Sequence, residues 1–362
     1  MKIYFTLFYF LFYNINSLKK PSKEYIDLVN WINENKGYVS PKLYPIEEDK
    51  SNRYIITKEK ILKNETLIII PNSIILSSMN TKINQICRHT FALILDVYDY
   101  ECLIYFMTLD RNNKTSFFSP YYNYFPKLNK KNHFLYLPNN IKEKISKTEL
   151  AIRIYTGESF FNRSLLQVEK ILKEKNLIEE YKENFILVSS RNFARKDSAF
   201  EEVNSMVPYV DLLNHKNDYN VNFYFDDHKD SMIVYAIKDI NKGDEVINNY
   251  GEDNNIHLYT GYNFIIKDNI YKVRVHLTIL NEYLTLEYCN NIEKDVLNKI
   301  NKLTSREILN FKDSVKVFYE KLNEKLNYYN NIHTGNDDID FIINEEKDLI
   351  KIYMNELQKL NN

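Results

Sequence analysis

Chemistry-bearing side chains gather late in the 362-residue chain. Val207-Pro208-Tyr209-Val210-Asp211-Leu212-Leu213-Asn214-His215 sets a carboxylate, an amide and an imidazole close together. Ile247-Asn248-Asn249-Tyr250-Gly251 adds a phenol, and Tyr262-Asn263-Phe264 two more rings. Such groups exchange hydrogen bonds, orient a nucleophile or balance charge. Singly, each has a plainer role: Asp211, Asn214 and His215 can close a strand or helix, and Tyr250 is one of 30 tyrosines. Metal ligation by Asp211, His215 and His228 ranks below that, because nothing fixes a third ligand at a recognisable spacing. The order and spacing of the whole set must carry any functional reading.

Composition removes competitors. The chain has 6 Gly against 30 Tyr, 21 Phe and 48 Asn, and neither a G-x-G-x-x-G nor a P-loop pattern occurs. Phosphate-cradling loops, which need clustered glycines, are therefore excluded. Three of the glycines, Gly243, Gly251 and Gly261, fall in the stretch just described. With 48 Lys+Arg against 49 Asp+Glu and no block of like charge, there is no footprint for nucleic acid or for a polybasic membrane anchor. Cys87, Cys102 and Cys289 are odd in number and far apart, so neither a zinc knuckle nor a disulfide framework is expected. A hydrophobic content of 44% suffices for a packed core.

The elements that position these groups follow from periodicity. Ser22 opens a helix with Tyr25, Leu28, Val29 and Ile32 on one face, ended by Gly37. Arg53–Thr57 and Thr66–Ile70 read as strands, Ile86–Leu109 as a helix, Ser116–Pro126 as an aromatic loop, and roughly 140 to 195 as helices. Val221–Phe225 and Met232–Ile237 flank a polar turn and predict a hairpin. Asn241-Lys242-Gly243-Asp244 predicts a turn leading into a strand Val246–Tyr250, then a short helix and a strand over Tyr271–Leu277. Thr304-Ser305-Arg306-Glu307 reads as a capping box for a stripe from Ile308 to Leu326, and a second stripe runs from Ile339 to Leu360.

At the N-terminus, Lys2 precedes an apolar run from Ile3 to Tyr13. It is too short for a stable membrane span but fits the h-region of a signal peptide over residues 1–17, ahead of a buried opening segment of the fold. The expectation is routing to the secretory pathway or an organelle reached through it, and otherwise a cytoplasmic location. Sequons at Asn64, Asn113 and Asn162 add little in so Asn-rich a chain.

As a series, Pro-x-x-Asp-x-x-Asn-His, a hairpin, a Lys-Gly-Asp turn, Asn-Tyr-Gly and Tyr-x-Phe resemble the SET-domain methyltransferases. The branch most resembled holds the RuBisCO large-subunit, ribosomal-protein and actin-histidine methyltransferases. The resemblance runs from about Glu24 to the end and is strongest over 205–264. It implies an α+β chain: a β-rich SET fold over 18–265 with a helical insertion at about 130–190, then an all-helical substrate-binding lobe over 266–362. It implies S-adenosylmethionine as cofactor, a protein substrate, no metal, and methylation of a lysine nitrogen, with histidine as the alternative acceptor.

Position by position, the resemblance assigns Tyr250 as the active-site tyrosine. Asn214 and His215 hold the adenine and amino-acid parts of the cofactor, with Asp211 beside them and Arg191 facing its carboxylate. Phe264 packs on the adenine, and Glu65 and Leu67 lie on the first cofactor-binding strand. Arg195 and Tyr262 fall on the substrate side. Two departures stand out. The family's Gly-Arg-Gly is Asn52-Arg53-Tyr54 here, and its Tyr-Gly-Phe is Tyr262-Asn263-Phe264. Asn tolerates left-handed backbone better than most residues, whereas Tyr54 places a bulky side chain where backbone should approach the cofactor. These departures motivate a second reading, a catalytically weakened SET-like protein-binding module.

Overall fold

A computed structural model describes residues 19–49, 52–77, 83, 85, 99–128, 130, 133–169, 172, 175–196, 202–304 and 310–361. The expected signal segment 1–17, the 86–98 part of one expected helix and Ser305-Arg306-Glu307 lie outside them. The chain forms two compact units, Met1–Leu128 with Gln167–Tyr250, and Asn129–Leu166 with Gly251–Asn362. The stretch 130–190 is shared between the two units, and Gly251 opens the C-terminal segment of the second.

In the first unit the helix Lys23–Glu34 starts at Ser22, whose hydroxyl accepts the Tyr25 N–H at 3.2 Å. It buries Tyr25, Leu28, Trp31 and Ile32, so Trp31 takes the place expected for Val29. The return at Gly37 is tight: a Cβ there would lie 2.5 Å from Ile32 Cγ2 and 2.9 Å from the carbonyls of Ile32 and Ile69. Strands follow as β1 (Tyr38–Val39), β2 (Leu43–Glu47), β3 (Arg53–Thr57), β4 (Thr66–Pro71), β5 (Leu76–Ser77), β6 (Asn192–Lys196), β7 (Glu202–Met206), β8 (Val221–Asp226) and β9 (Ser231–Ala236). They make small antiparallel sheets: β1-β4-β9-β8, β5-β7-β6 and the hairpin β2-β3. The inner strands β4 and β9 are apolar along almost their whole length because both faces are covered. β3 packs against a 3-10 turn at Val210–Leu212, which brings Arg53 toward Asp211.

Helices Asp99–Asp110 and Lys175–Arg191 pack together, and Asn184 ties them by bonds to Thr108 Oγ1 at 3.2 Å and from Arg111 at 3.0 Å. Cys102 in the first of them is disulfide-bonded, which its isolated position in the sequence did not announce. The second helix ends at Arg191, so residues 192–195, expected to be helical, instead start β6. β6 gains a partner in β7 that local propensity could not register.

The second unit is helical apart from one hairpin. Its helices include Asn139–Lys144, Asn255–Tyr262, Ile292–Thr304, Phe311–Asn330 and Asp337–Asn361, with most of Glu149–Glu169. The hairpin pairs β10 (Val275–Ile279) with β11 (Glu282–Leu286), where a single strand over 271–277 was expected. Thr304 ends a helix rather than opening one, and Asn310 caps the next by accepting from Asp313 N. The second stripe behaves as read: Ile339, Ile342, Ile343, Leu349, Ile350, Tyr353 and Leu357 are all buried in one core. Among the described residues, no helix is long and apolar enough to cross a membrane.

Candidate active site

The turn that carries Asp211 begins with an unusual backbone. Tyr209 has φ 68°, a left-handed conformation that a bulky side chain takes only when its surroundings impose it. Its ring is fully buried and its hydroxyl shares a 2.9 Å hydrogen bond with Tyr25. Strain of this kind costs about 1–3 kcal/mol and clusters at functional sites. Its consequence is that Asp211 points into the protein. Asp211 Oδ2 accepts from the Tyr121 hydroxyl at 2.9 Å and lies 3.3 Å from Arg191 Nη1, which also donates to the Asp211 carbonyl at 2.7 Å. Burial raises the Asp211 pKa, and Arg191 and Tyr121 only partly offset that.

Just beyond, two segments distant in sequence are laced together. His215 and Asn248 form an isolated parallel bridge, with Asn248 N donating to the Asn214 carbonyl at 2.9 Å. Asn220 braces the second segment by accepting from Ile247 N and donating to the Glu245 carbonyl, each at 2.8 Å. Glu245 in turn accepts from Asn214 Nδ2 at 2.9 Å and pairs with Lys216 at 2.6 Å. This lacing explains why Val246–Tyr250 is not the strand its sequence predicted. Its backbone groups bond to Ile55, Asn214 and the Asn220 side chain instead of to one neighbouring strand.

Tyr250 is held at three points by this arrangement. Its N–H donates to His215 Nδ1 at 3.0 Å, its hydroxyl donates to the Leu213 carbonyl at 2.8 Å, and its ring stacks on His215 with centroids 5.2 Å apart. Since Nδ1 accepts, a neutral His215 carries its proton on Nε2. The phenol is thereby fixed in place and direction before any substrate arrives.

Arg191, Asp211, Asn214, His215 and Tyr250 therefore all lie in the first unit, joined by the contacts above. Arg195 lies in β6 opposite Val203. Glu65 is engaged on Lys42 at 2.7 Å and on the Leu62 N–H, and Leu67 is a fully buried β4 side chain. Burial would raise the Glu65 pKa, but Lys42 and Leu62 bring it below its ordinary value. Tyr262 and Phe264 lie in the second unit, their rings 6.1 Å apart. Burial, then Asp253, raises the Tyr262 pKa. Asn263 between them is left-handed, φ 62°, so glycine-type geometry survives there, whereas Asn52 is not left-handed.

Two residues escaped the sequence reading. Tyr121, in the aromatic loop, donates to Asp211, and Arg53 sits at the centre of the altered Gly-Arg-Gly motif. The Arg53 guanidinium lies 4.3 Å above the Tyr124 ring. Burial lowers its pKa, and Asp211 and Arg191 both act on it electrostatically. His228 stands at an exposed hairpin turn, its N–H on Asp226, apart from the contacts that hold Asp211 and His215.

The SET domain profile matches residues 52–251, more than half of the chain. The chain belongs to the SET-domain family. A relative from Xenopus laevis, N-lysine methyltransferase setd6, is 23% identical over 62% of this chain and 54% of its own length. Ribosomal lysine N-methyltransferase 4 of Saccharomyces cerevisiae is 24% identical over 63% of this chain and 52% of its own. This SET-domain chain thus spans about half the length of these relatives. Rubisco LSMT bound to AdoMet superposes with a TM-score of 0.68 at 14% identity, over 94% of this chain and 92% of that one. The same protein bound to sinefungin and monomethyllysine gives 0.70 at 13% identity, over 94% and 93%. At such identity the likeness establishes the SET fold.

The residues present suit the cofactor that this family implies. Among the described residues, the buried Asp211 Oδ1 and Asn248 Nδ2 lack hydrogen-bond partners, one an acceptor and the other a donor. Orphaned buried groups of opposite sense beside an Asn-His pair match a ligand carrying both donors and acceptors, such as a purine nucleoside joined to an amino acid.

Proposed function

We propose that the chain is an S-adenosylmethionine-dependent protein N-methyltransferase acting on a lysine side chain. The observation that carries this reading is the fixed Tyr250, stacked on His215 and bonded through its hydroxyl to Leu213 in the segment next to Asn214. The names of the curated relatives support lysine as the acceptor. When bound, S-adenosylmethionine supplies an electrophilic sulfonium methyl. Asn214, His215, Asp211 and Arg191 would hold it, and the rest of the chemistry is positioning. The Tyr250 hydroxyl has its proton directed at Leu213, so its oxygen lone pairs accept from the incoming amine and steer the nitrogen. The ring face tolerates positive charge. Removal from water lowers the amine pKa and favours the neutral nucleophile.

Calorimetry with S-adenosylmethionine tests the donor half of the proposal. A saturable heat supports it. No heat at high ligand concentration favours the binding-module reading that Asn52 and Tyr54 motivated.

We also propose entry into the secretory pathway through residues 1–17. The apolar run Ile3–Tyr13 behind Lys2, of the length of a signal h-region, supports this reading. A fluorescent protein fused behind residues 1–17 that stays in the cytosol would remove it.

A further inference from the structure

We infer that Glu245 is a positioning residue for methyl transfer: it orients the Asn214 side chain for the donor without touching the donor itself. The inference rests on the donor reading above and adds a residue to it. An amide side chain carries an acceptor at one end and two N–H donors at the other, on nearly the same shape. Something must therefore decide which end faces a ligand. At Asn214 the choice falls to Glu245, whose Oε1 accepts from Nδ2 at 2.9 Å. A carboxylate only accepts, so it commits the Nδ2 end. Asn214 Oδ1 bonds to none of the described residues, which leaves this acceptor for an N–H of the ligand.

The carboxylate is itself held in place. Its other oxygen, Oε2, accepts from Lys216 Nζ at 2.6 Å. The Glu245 side chain is 18% exposed and that of Lys216 56%, so the lysine closes the pair from the solvent side. The Glu245 backbone is fixed as well: it bridges Ile56 of β3, and its carbonyl accepts from Asn220 Nδ2 at 2.8 Å. Asn220 Oδ1 then holds Ile247 N, and Asn248 N donates to the Asn214 carbonyl. Glu245 thus stands where the segment leading to Tyr250 meets the Asn214–His215 pair. Backbone contacts already brace that junction, and an ion pair with so exposed a lysine contributes little to stability. What the carboxylate adds is the direction of one amide, which is read in ligand affinity rather than in folding.

S-adenosylhomocysteine, titrated by calorimetry into the full chain, reads the effect. Glu245→Ala frees the amide and should weaken binding about 10-fold, the worth of one such hydrogen bond. The melting temperature of the unliganded variant should fall by no more than about 4 °C. Glu245→Gln keeps an acceptor and should recover affinity to within about 3-fold of wild type. Lys216→Ala spares Oε1 and should stay within about 2-fold. In an Asn214→Ala background, adding Glu245→Ala should change affinity by less than about 2-fold, because the side chain it acts through is gone. If Asn214→Ala binds too weakly to titrate, the Gln recovery and the melting comparison decide. Glu245→Met, which fills the space without an acceptor, serves if the Ala variant does not fold. Wild-type affinity in Glu245→Ala, an equal loss in Lys216→Ala, no recovery in Glu245→Gln, or an undiminished loss in the Asn214→Ala background overturns the role of Glu245. Wild type that binds no S-adenosylhomocysteine overturns the donor reading itself, an outcome separable from failure at Glu245.

Discussion

Glu346, buried in the second unit, makes the sharpest thermodynamic prediction. It lies on the helix Asp337–Asn361 and reaches the start of Glu149–Glu169, where its oxygens accept from Glu149 N at 3.1 Å and Leu150 N at 3.3 Å. The Tyr329 hydroxyl donates to it as well. The neighbouring charges are mutually engaged: Glu149 pairs with Lys325 at 2.8 Å and His276 at 2.7 Å. Burial outweighs the hydrogen bonds and raises the Glu346 pKa from 4.5 to about 7. A rise of that size corresponds to about 3 kcal/mol. Because the folded pKa is the higher one, this contribution is fully present below pH 4.5 and is lost as pH climbs through about 7.

Glu346→Gln fixes the neutral state. Its amide mismatch with one N–H donor costs about 1–3 kcal/mol independently of pH, so only the slope is diagnostic. Urea unfolding followed by far-ultraviolet dichroism, on both proteins from below pH 4.5 to above pH 7, gives that slope. The stability of wild type relative to the variant should fall by about 3 kcal/mol across this window. A difference that stays flat, or grows with pH, would refute the assignment.

Two further perturbations follow from the first unit. Asp211→Ala removes the buried carboxylate that Arg191 and Tyr121 share and should destabilise by about 3–5 kcal/mol in denaturant titration, while Tyr121→Phe should cost only about 1 kcal/mol. Gly37→Ala drives a methyl into Ile32 and two carbonyl oxygens and should lower stability by about 1–3 kcal/mol, seen as a reduced melting temperature.

Much of the framework was legible because it depends on local rules. Ser22 capped its helix, Asp226–Ser231 closed its hairpin, and the Ile339-to-Leu357 stripe found the core that its period required. Misses arose where partners lie far away in sequence. Val246–Tyr250 has strand composition, but its bonds go to Asn214 and Asn220, which no window around it contains. Asn192–Lys196 continued a helical pattern until β7 offered it a ladder. At the site, Asn214, His215 and Tyr250 carried a spacing signal. Arg53 carried one only as a departure, since an arginine in a strand has no mark of the aromatic ring it will cover. Tyr121 was hidden by the abundance of tyrosine.

The most direct test of the account is methyl transfer from labelled S-adenosylmethionine into a whole-proteome extract, with the acceptor atom mapped by mass spectrometry. Lysine methylation by wild type, reduced at least ~100-fold by Tyr250→Phe, is the predicted result. Label on histidine alone, or equal transfer by wild type and Tyr250→Phe, would contradict it.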